Sequence, residues 1–210
     1  MIGATRILAV NAVGSLNIAM PPRSAVVPDQ IIDRTAGFRA RTYFEGGVVA
    51  HVGMADPFCP YLRTSIVKHA RATQDLVEDG GTYITIEGPQ FSTRAESNLY
   101  RQFGADIIGM TAMPEARLAR EAGLCYASLA MVTDFDVWHE TEDDVTLETI
   151  QRVLAENVET SRNVVRGLAS ESHPACDCAL GTASAVMTHD IPAHLQEGIE
   201  LILRQPGITS

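Results

Sequence analysis

The stretch Leu124–Val132, LCYASLAMV, is a nearly unbroken apolar run that stops at Thr133 and is far too short to span a membrane. It reads as a buried strand, and a buried strand needs other elements to cover it. The chain offers them in alternation. RILAVNAV, residues 6–13, is a second short apolar run, closed by Gly14. SAVVPDQIID is an extended piece, TYITIEG alternates β-formers, and DIIGMT, residues 106–111, is a short strand. Between them the apolar period changes to that of a helix. Leu62, Ile66, Ala70, Leu76 and Val77 predict a helix over 62–77, stopped by Gly80-Gly81. Thr93-Arg94-Ala95-Glu96 is a capping box opening a helix to about Phe103. Pro114 and Gly123 bracket a helix over 114–122. Leu147, Ile150, Val153, Leu154, Val158, Val164, Val165 and Leu168 mark a long amphipathic helix over 145–168. Strands alternating with helices give an α/β fold: a mixed, largely parallel central sheet flanked by helices, over residues 1–170. Residues 171–210 form a tail with a C-x-C and a helical segment over 197–203.

Composition removes several function classes. With 210 residues the chain can build one sizeable core. Its formal charge of −10 and the lack of any Lys/Arg block argue against nucleic-acid or anionic-membrane surfaces. No stretch reaches membrane-span length and no cationic-then-apolar signal opens the chain, so the expected location is cytoplasmic. Cys59, Cys125, Cys176 and Cys178 lack the paired spacing of a zinc site, and only His173 lies near the C-x-C. No metal is expected, and free thiols are the default, with a redox pair or thermal staple as the alternative for Cys176 and Cys178.

The chemistry sits where strands end, since ligands in such sheets lie beyond the strands' carboxyl ends. Asn11–Ser15, Gly88–Ser92, Gly109–Thr111 and Thr133–Asp136 are the candidate pocket walls. Asp134 and Asp136, two apart, would share a face and could address one flat ligand. A carboxyl at the mouth of an apolar strand, beside Phe135 and Trp138, should have a raised pKa. The plain alternative is a solvated loop or a helix cap. Phe91 and Met110 could touch the same ligand or simply be core. Thr93 reads better as a cap. Asn11 is a polar side chain in an apolar strand, and a buried amide needs partners. His51 is either a pH-sensitive contact or a surface imidazole.

AVNAVGSL, DPFCP, TIEGPQFSTRAES and GADIIGMTAMPEARLAREAGLCYASLAMVTDFDVWHE, in this order, resemble the trimeric purine nucleoside phosphorylase superfamily. Within it they are most similar to the S-methyl-5′-thioadenosine phosphorylase family. The resemblance covers residues 3–170 and is densest over 82–140. It implies a phosphorylase/hydrolase-like fold and phosphorolysis of a purine nucleoside, through a transition state like that of glycoside cleavage. Asp134 is then the acid that protonates the departing purine at N7, and Asp136 recognises the 6-amino group. An adenine edge would thus account for two acids at one strand end. Phosphorylases for 6-oxopurines carry Asn in place of Asp134 and Glu in place of Ser92, so both positions here point to adenine. The resemblance further implies that Ala12, Val13 and Gly14 line base or sugar, and that Phe91 and Ser92 face the base. Met110, with Gly109 beside it, lies under the ribose, and Thr111 and Asn11 approach phosphate. Asn11 stands where some members have Thr. Val145, Leu147 and Ile150 align with the 5′ pocket and read equally well as core. His51 matches a residue reaching a neighbouring subunit, which implies a homotrimer or a dimer of such trimers. The partners are a nucleoside and phosphate, the latter as co-substrate without another cofactor.

The family's Gly-rich phosphate loop and Arg-His-Gly segment have no counterpart: neither G-G-[ST]-G nor R-H-G occurs. The chain is therefore expected to lack an N-terminal phosphate-binding portion and to bind phosphate poorly by itself. Two alternatives remain: a phosphorylase for adenosine, inosine or methylthioinosine, and an inactive nucleoside-binding remnant. A generic doubly wound nucleotide-binding domain is disfavoured, since no G-x-G-x-x-G follows a strand.

Overall fold

The computed structural model describes residues 3–44, 48–140 and 147–172, together with 176, 178 and 193. Seven strands form one sheet: β1 (Arg6–Ser15), β2 (Ala25–Val27), β3 (Gln30–Arg34), β4 (Val77–Asp79), β5 (Thr82–Ile86), β6 (Ile107–Gly109) and β7 (Cys125–Phe135). Among the described residues four helices accompany them: α1 (Pro60–Arg71), α2 (Arg94–Gln102), α3 (Ala112–Glu121) and α4 (Leu147–Ser170). The strand order is β3-β5-β6-β1-β7-β2-β4. The pairs β1/β7, β2/β4, β3/β5 and β5/β6 are parallel, whereas β1/β6 and β2/β7 are antiparallel. No helix among the described residues is long and apolar enough to cross a membrane.

β7 is an interior strand, as its sequence demands, and its two faces meet different partners. Cys125, Ala127, Leu129 and Met131 join Leu62, Ile66, Val67 and Ala70 of α1 and Val164 and Leu168 of α4. On the other face Tyr126 packs with Ala116 and Ala119 of α3, while Ala130 and Val132 pack with Val13, Tyr83 and Ile107. The period of two along the strand assigns each side chain to its layer. Burial of a Leu, Ile or Val contributes about 1.5–3 kcal/mol each.

The helix starts follow local chemistry. Cys59 is the N-cap of α1, accepting from the Leu62 N–H at 3.4 Å, with Pro60 next. Lys68, His69 and Arg71 favour its last turn electrostatically. The capping box of α2 is formed in full between Thr93 and Glu96. Met113 interrupts the start of α3 with extended torsions, so regular helix begins at Pro114, where the sequence places it.

Three boundaries differ from the sequence reading. α1 stops at Arg71 rather than 77, and Val77 belongs to β4, paired with Ala25. β6 is shorter than DIIGMT, while β7 runs on to Phe135. Residues 197–203 and Val145 lie outside the described residues, as do the side chains of Leu147 and Ile150.

Candidate active site

The antiparallel step between β6 and β1 decides where the site lies. Gly14 pairs with Ile108 and Ser15 with Ile107. Continuing that register sets Met110 level with Ala12 and Thr111 level with Asn11. β7, parallel to β1, instead ends beside Gly14 and Ser15. The candidate residues therefore border about 13 Å of β1, from Asn11 to Ser15, rather than one common strand end.

At the acid end, β7 carries a bulge. Val13 pairs with Val132, but Gly14 pairs with Asp134, so Thr133 is the extra residue. Its hydroxyl reaches the Val13 carbonyl at 3.1 Å and Asp134 Oδ1 at 2.5 Å. Asp136 lies one residue past the strand, its N–H donating to the Ser15 carbonyl at 2.9 Å. The two acids thus meet around Gly14 through a bulge and a strand end, not through simple alternation. A Cβ on Gly14 would stand 3.2 Å from Ile108 and 3.6 Å from the Asp136 Cβ.

The environments of the acids differ. Asp136 is buried, 7% exposed, and its Oδ2 has no hydrogen-bond partner among the described residues. A buried acceptor left open is costly, so it marks a place for a donor. Asp134 stands at the rim, open to water on one side with protein behind it. Desolvation by that protein raises its pKa; the nearby Asp136 charge adds to the rise and the Thr133 hydrogen bond opposes it. Water on the open side moderates the desolvation. Trp138 closes the floor, its indole N–H donating to the Ser15 carbonyl at 2.8 Å, with Arg101 stacked on its ring. Trp138 and Met110 pack against one cluster, that of Ile84, Ile86, Tyr100 and Ile108.

The opposite end is built on Asn11, whose side chain is buried and satisfied. Ser128 donates to its Oδ1 at 2.5 Å, and its Nδ2 donates to the Thr111 hydroxyl at 2.5 Å. Thr111 is the N-cap of α3 but makes no side-chain cap bond, which leaves its exposed hydroxyl to Asn11 and the cleft. That cleft, about 690 Å³, runs along Ile7–Ala12 beside Thr111, Glu115, Tyr43 and Tyr126.

The remaining candidates are distributed as follows. Ala12 is exposed on the groove side, whereas the Val13 side chain points into the core with Tyr83 and Ile107. Gly109 touches Tyr83 so closely that any side chain would overlap its hydroxyl. Gly88, with φ +68°, lies directly under Met110. Ser92 is half-buried with its hydroxyl oxygen unpartnered, while Phe91 is 81% exposed and covers nothing in the described residues. His51 is exposed on a loop.

Arg39 was invisible to motif reasoning. Its guanidinium donates to the carbonyls of Met110 and Glu87, both at 2.5 Å, and of Met113 at 2.6 Å, and pairs with the Glu87 carboxylate at 2.8 Å. It ties the segments after β5 and β6 together under the groove. Glu87 is held below the ordinary carboxylate range, chiefly by that Arg39 hydrogen bond.

The profile of the phosphorylase superfamily matches residues 1–170. An S-methyl-5′-thioadenosine phosphorylase of Geobacter sulfurreducens is 46% identical over 206 residues, 96% of this chain and 72% of that protein. Another, from Chloroflexus aurantiacus, is 48% identical over 94% of this chain and 70% of its own length. Among solved structures, a methylthioadenosine phosphorylase from an Antarctic soil metagenomic library superposes with a TM-score of 0.88 at 40% identity, covering 96% of this chain and 73% of that one. The methylthioadenosine phosphorylase of Schistosoma mansoni in complex with adenine gives 0.73 at 33% identity, covering 96% of this chain and 71% of that one.

Proposed function

The chain belongs to the phosphorylase superfamily, and on that footing we propose that it phosphorolyses S-methyl-5′-thioadenosine to adenine and 5-methylthioribose 1-phosphate. The observation that carries the adenine preference is the acid pair at Gly14: Asp136 buried with an unpartnered oxygen, Asp134 beside it with a raised pKa. In the proposed reaction a phosphate oxygen bonds to the sugar anomeric carbon as the bond to purine N9 breaks. The electron pair passes into the base. Asp134, protonated, gives its proton to N7, and adenine leaves neutral. Asp136 Oδ2 accepts from the 6-amino group, which fills its missing partner. A 6-oxopurine would instead set a carbonyl against that oxygen, so inosine should be disfavoured.

Met110 would support the sugar, held by Arg39 from behind, and Thr111 with Asn11 would meet phosphate at the other end of the groove. Inorganic phosphate is the co-substrate, and the steps balance without an organic cofactor or a metal. We assign His51 to a contact with a neighbouring subunit in a homotrimer. Support for the substrate choice comes from the phosphorylases of Geobacter sulfurreducens and Chloroflexus aurantiacus.

The test is base release from methylthioadenosine, adenosine and inosine, each with and without phosphate. Phosphate-dependent adenine release, fastest from methylthioadenosine, is expected. Faster turnover of inosine would overturn the assignment of Asp136, and adenine binding without phosphate-dependent turnover would make the chain a binding protein instead of an enzyme.

A further inference from the structure

The four cysteines, scattered in sequence, come together. The sulfurs of Cys59, Cys125, Cys176 and Cys178 all lie within 4.8 Å of one another. Cys59 and Cys176 are 3.7 Å apart and Cys125 and Cys178 are 3.6 Å apart. We propose that these four side chains bind one Zn²⁺ as a tetrahedral tetrathiolate, with a structural role. Zn–S bonds of about 2.3 Å make a tetrahedron whose S···S edges are about 3.8 Å. The two shortest separations match that edge. A disulfide needs about 2.05 Å, well short of either.

The surroundings suit a thiolate cluster. Cys59 is the N-cap of α1, so its sulfur sits at the positive end of a helix and accepts the Leu62 N–H. Arg120, 5% exposed, donates to the Cys178 carbonyl and to the Asp56 carbonyl, which places a buried cation beside the cluster. As the four S–Zn bonds form, the remaining thiol protons pass to water and no electrons are exchanged. The centre then carries a net charge of −2, which Arg120 partly balances. An apolar wall comes from Leu62, Ile66, Ala127 and Leu168. A cleft of about 430 Å³, lined by Arg63, Arg120 and Cys178, lies beside the cluster.

The position points to architecture rather than catalysis. Cys125 opens β7 and Asp134 lies nine residues on, about 30 Å away along the strand. The ion would join the start of α1, the start of β7 and the segment beyond α4. Spacing rules missed the site because only two of its ligands are close in sequence; the others come from separate elements. The four thiols are free of disulfides, as expected; the proposal departs from that expectation only in adding a metal.

The experiment uses the full chain, purified without chelator from zinc-containing medium. Metal analysis should find about one zinc per chain, and X-ray absorption four sulfurs at about 2.3 Å. Cys176→Ser and Cys178→Ser should each lose most of the zinc and lower the Tm, while phosphorolysis at low temperature is kept. Exchange for Co²⁺ should give thiolate charge-transfer bands and the visible spectrum of a tetrahedral ion. Intact-mass analysis showing two disulfides would overturn the proposal. Four alkylatable thiols with no zinc taken up when it is supplied would overturn it equally, and neither result depends on a variant folding.

Discussion

Gly109→Ala probes how the groove is positioned, because the contact it would create is with a rigid partner. An added Cβ would stand 2.2 Å from the Tyr83 hydroxyl oxygen, 2.9 Å from Cζ and 3.1 Å from Cε2. Ordinary heavy-atom contact begins near about 3.5 Å, so strand and ring must part by about 1 Å. Tyr83 is fully buried in the cluster of Val13, Met20, Ile107, Ala130 and Val132, which leaves it nowhere to go. Overpacking of this kind costs about 1–3 kcal/mol. At about 2–4 °C per kcal/mol for a chain of this size, the Tm should fall by about 2–12 °C. The companion change is Tyr83→Phe. Its hydroxyl has no well-formed hydrogen bond among the described residues, so removing it alone should alter stability by less than about 0.5 kcal/mol. In the double variant the 2.2 Å contact is gone and the nearest atom is Cζ, so more than half of the loss should return. Urea unfolding followed by circular dichroism gives the four corners of the cycle. Turnover measured alongside should fall with Gly109→Ala, since Met110 and Thr111 follow directly. A Gly109→Ala protein as stable as the parent, or no recovery from Tyr83→Phe, would refute the packing reasoning.

Other expectations concern different parts of the molecule. At Gly167 a Cβ would lie 2.3 Å from His69 Nδ1 and 2.7 Å from its Cγ, so Gly167→Ala should lower stability by about 1–3 kcal/mol in chemical denaturation. Glu171 is held down to about 2 by hydrogen bonds from Lys68 and then His69, against an ordinary value of 4.5. A depressed folded-state pKa stabilises the fold above 4.5 and loses that contribution as pH falls from 4.5 towards 2, and Glu171→Gln should flatten this part of the pH–stability curve. Arg39→Ala should reduce kcat/KM for methylthioadenosine by about 10–100-fold while the Asp136 contacts persist, because charge-assisted bonds from Arg39 to the Met110, Met113 and Glu87 carbonyls hold the segments around Met110 in place. Steady-state assays with and without added guanidinium would measure it.

Much of the architecture could be read from the sequence because burial imposes a period. β7 is apolar on both faces, and both faces turn out to be covered. The capping box of α2 and Pro114 of α3 mark their helices by local hydrogen bonding and fixed φ. The end of α1 was not legible, since Leu76 and Val77 continue the helical period although Val77 serves a strand. Strand direction is equally silent in composition, so the reversal between β6 and β1, which brings Thr111 to Asn11, had no sequence signal. The same holds for the bulge at Thr133. The two acids were expected on one strand face, but the extra residue and the strand end together bring them to Gly14. Arg39 works through backbone carbonyls, which no motif records. Cys59 pairs with Cys176 across 117 positions, a contact only the fold can create.

The central claim is that Asp134 protonates the departing purine. The most direct measurement compares the single-turnover rate of adenine release from methylthioadenosine in the parent and in Asp134→Asn, with adenine affinity as the control for binding. The account predicts a rate lower by about 10²–10⁴ in the variant, with adenine still bound. Equal rates would contradict it.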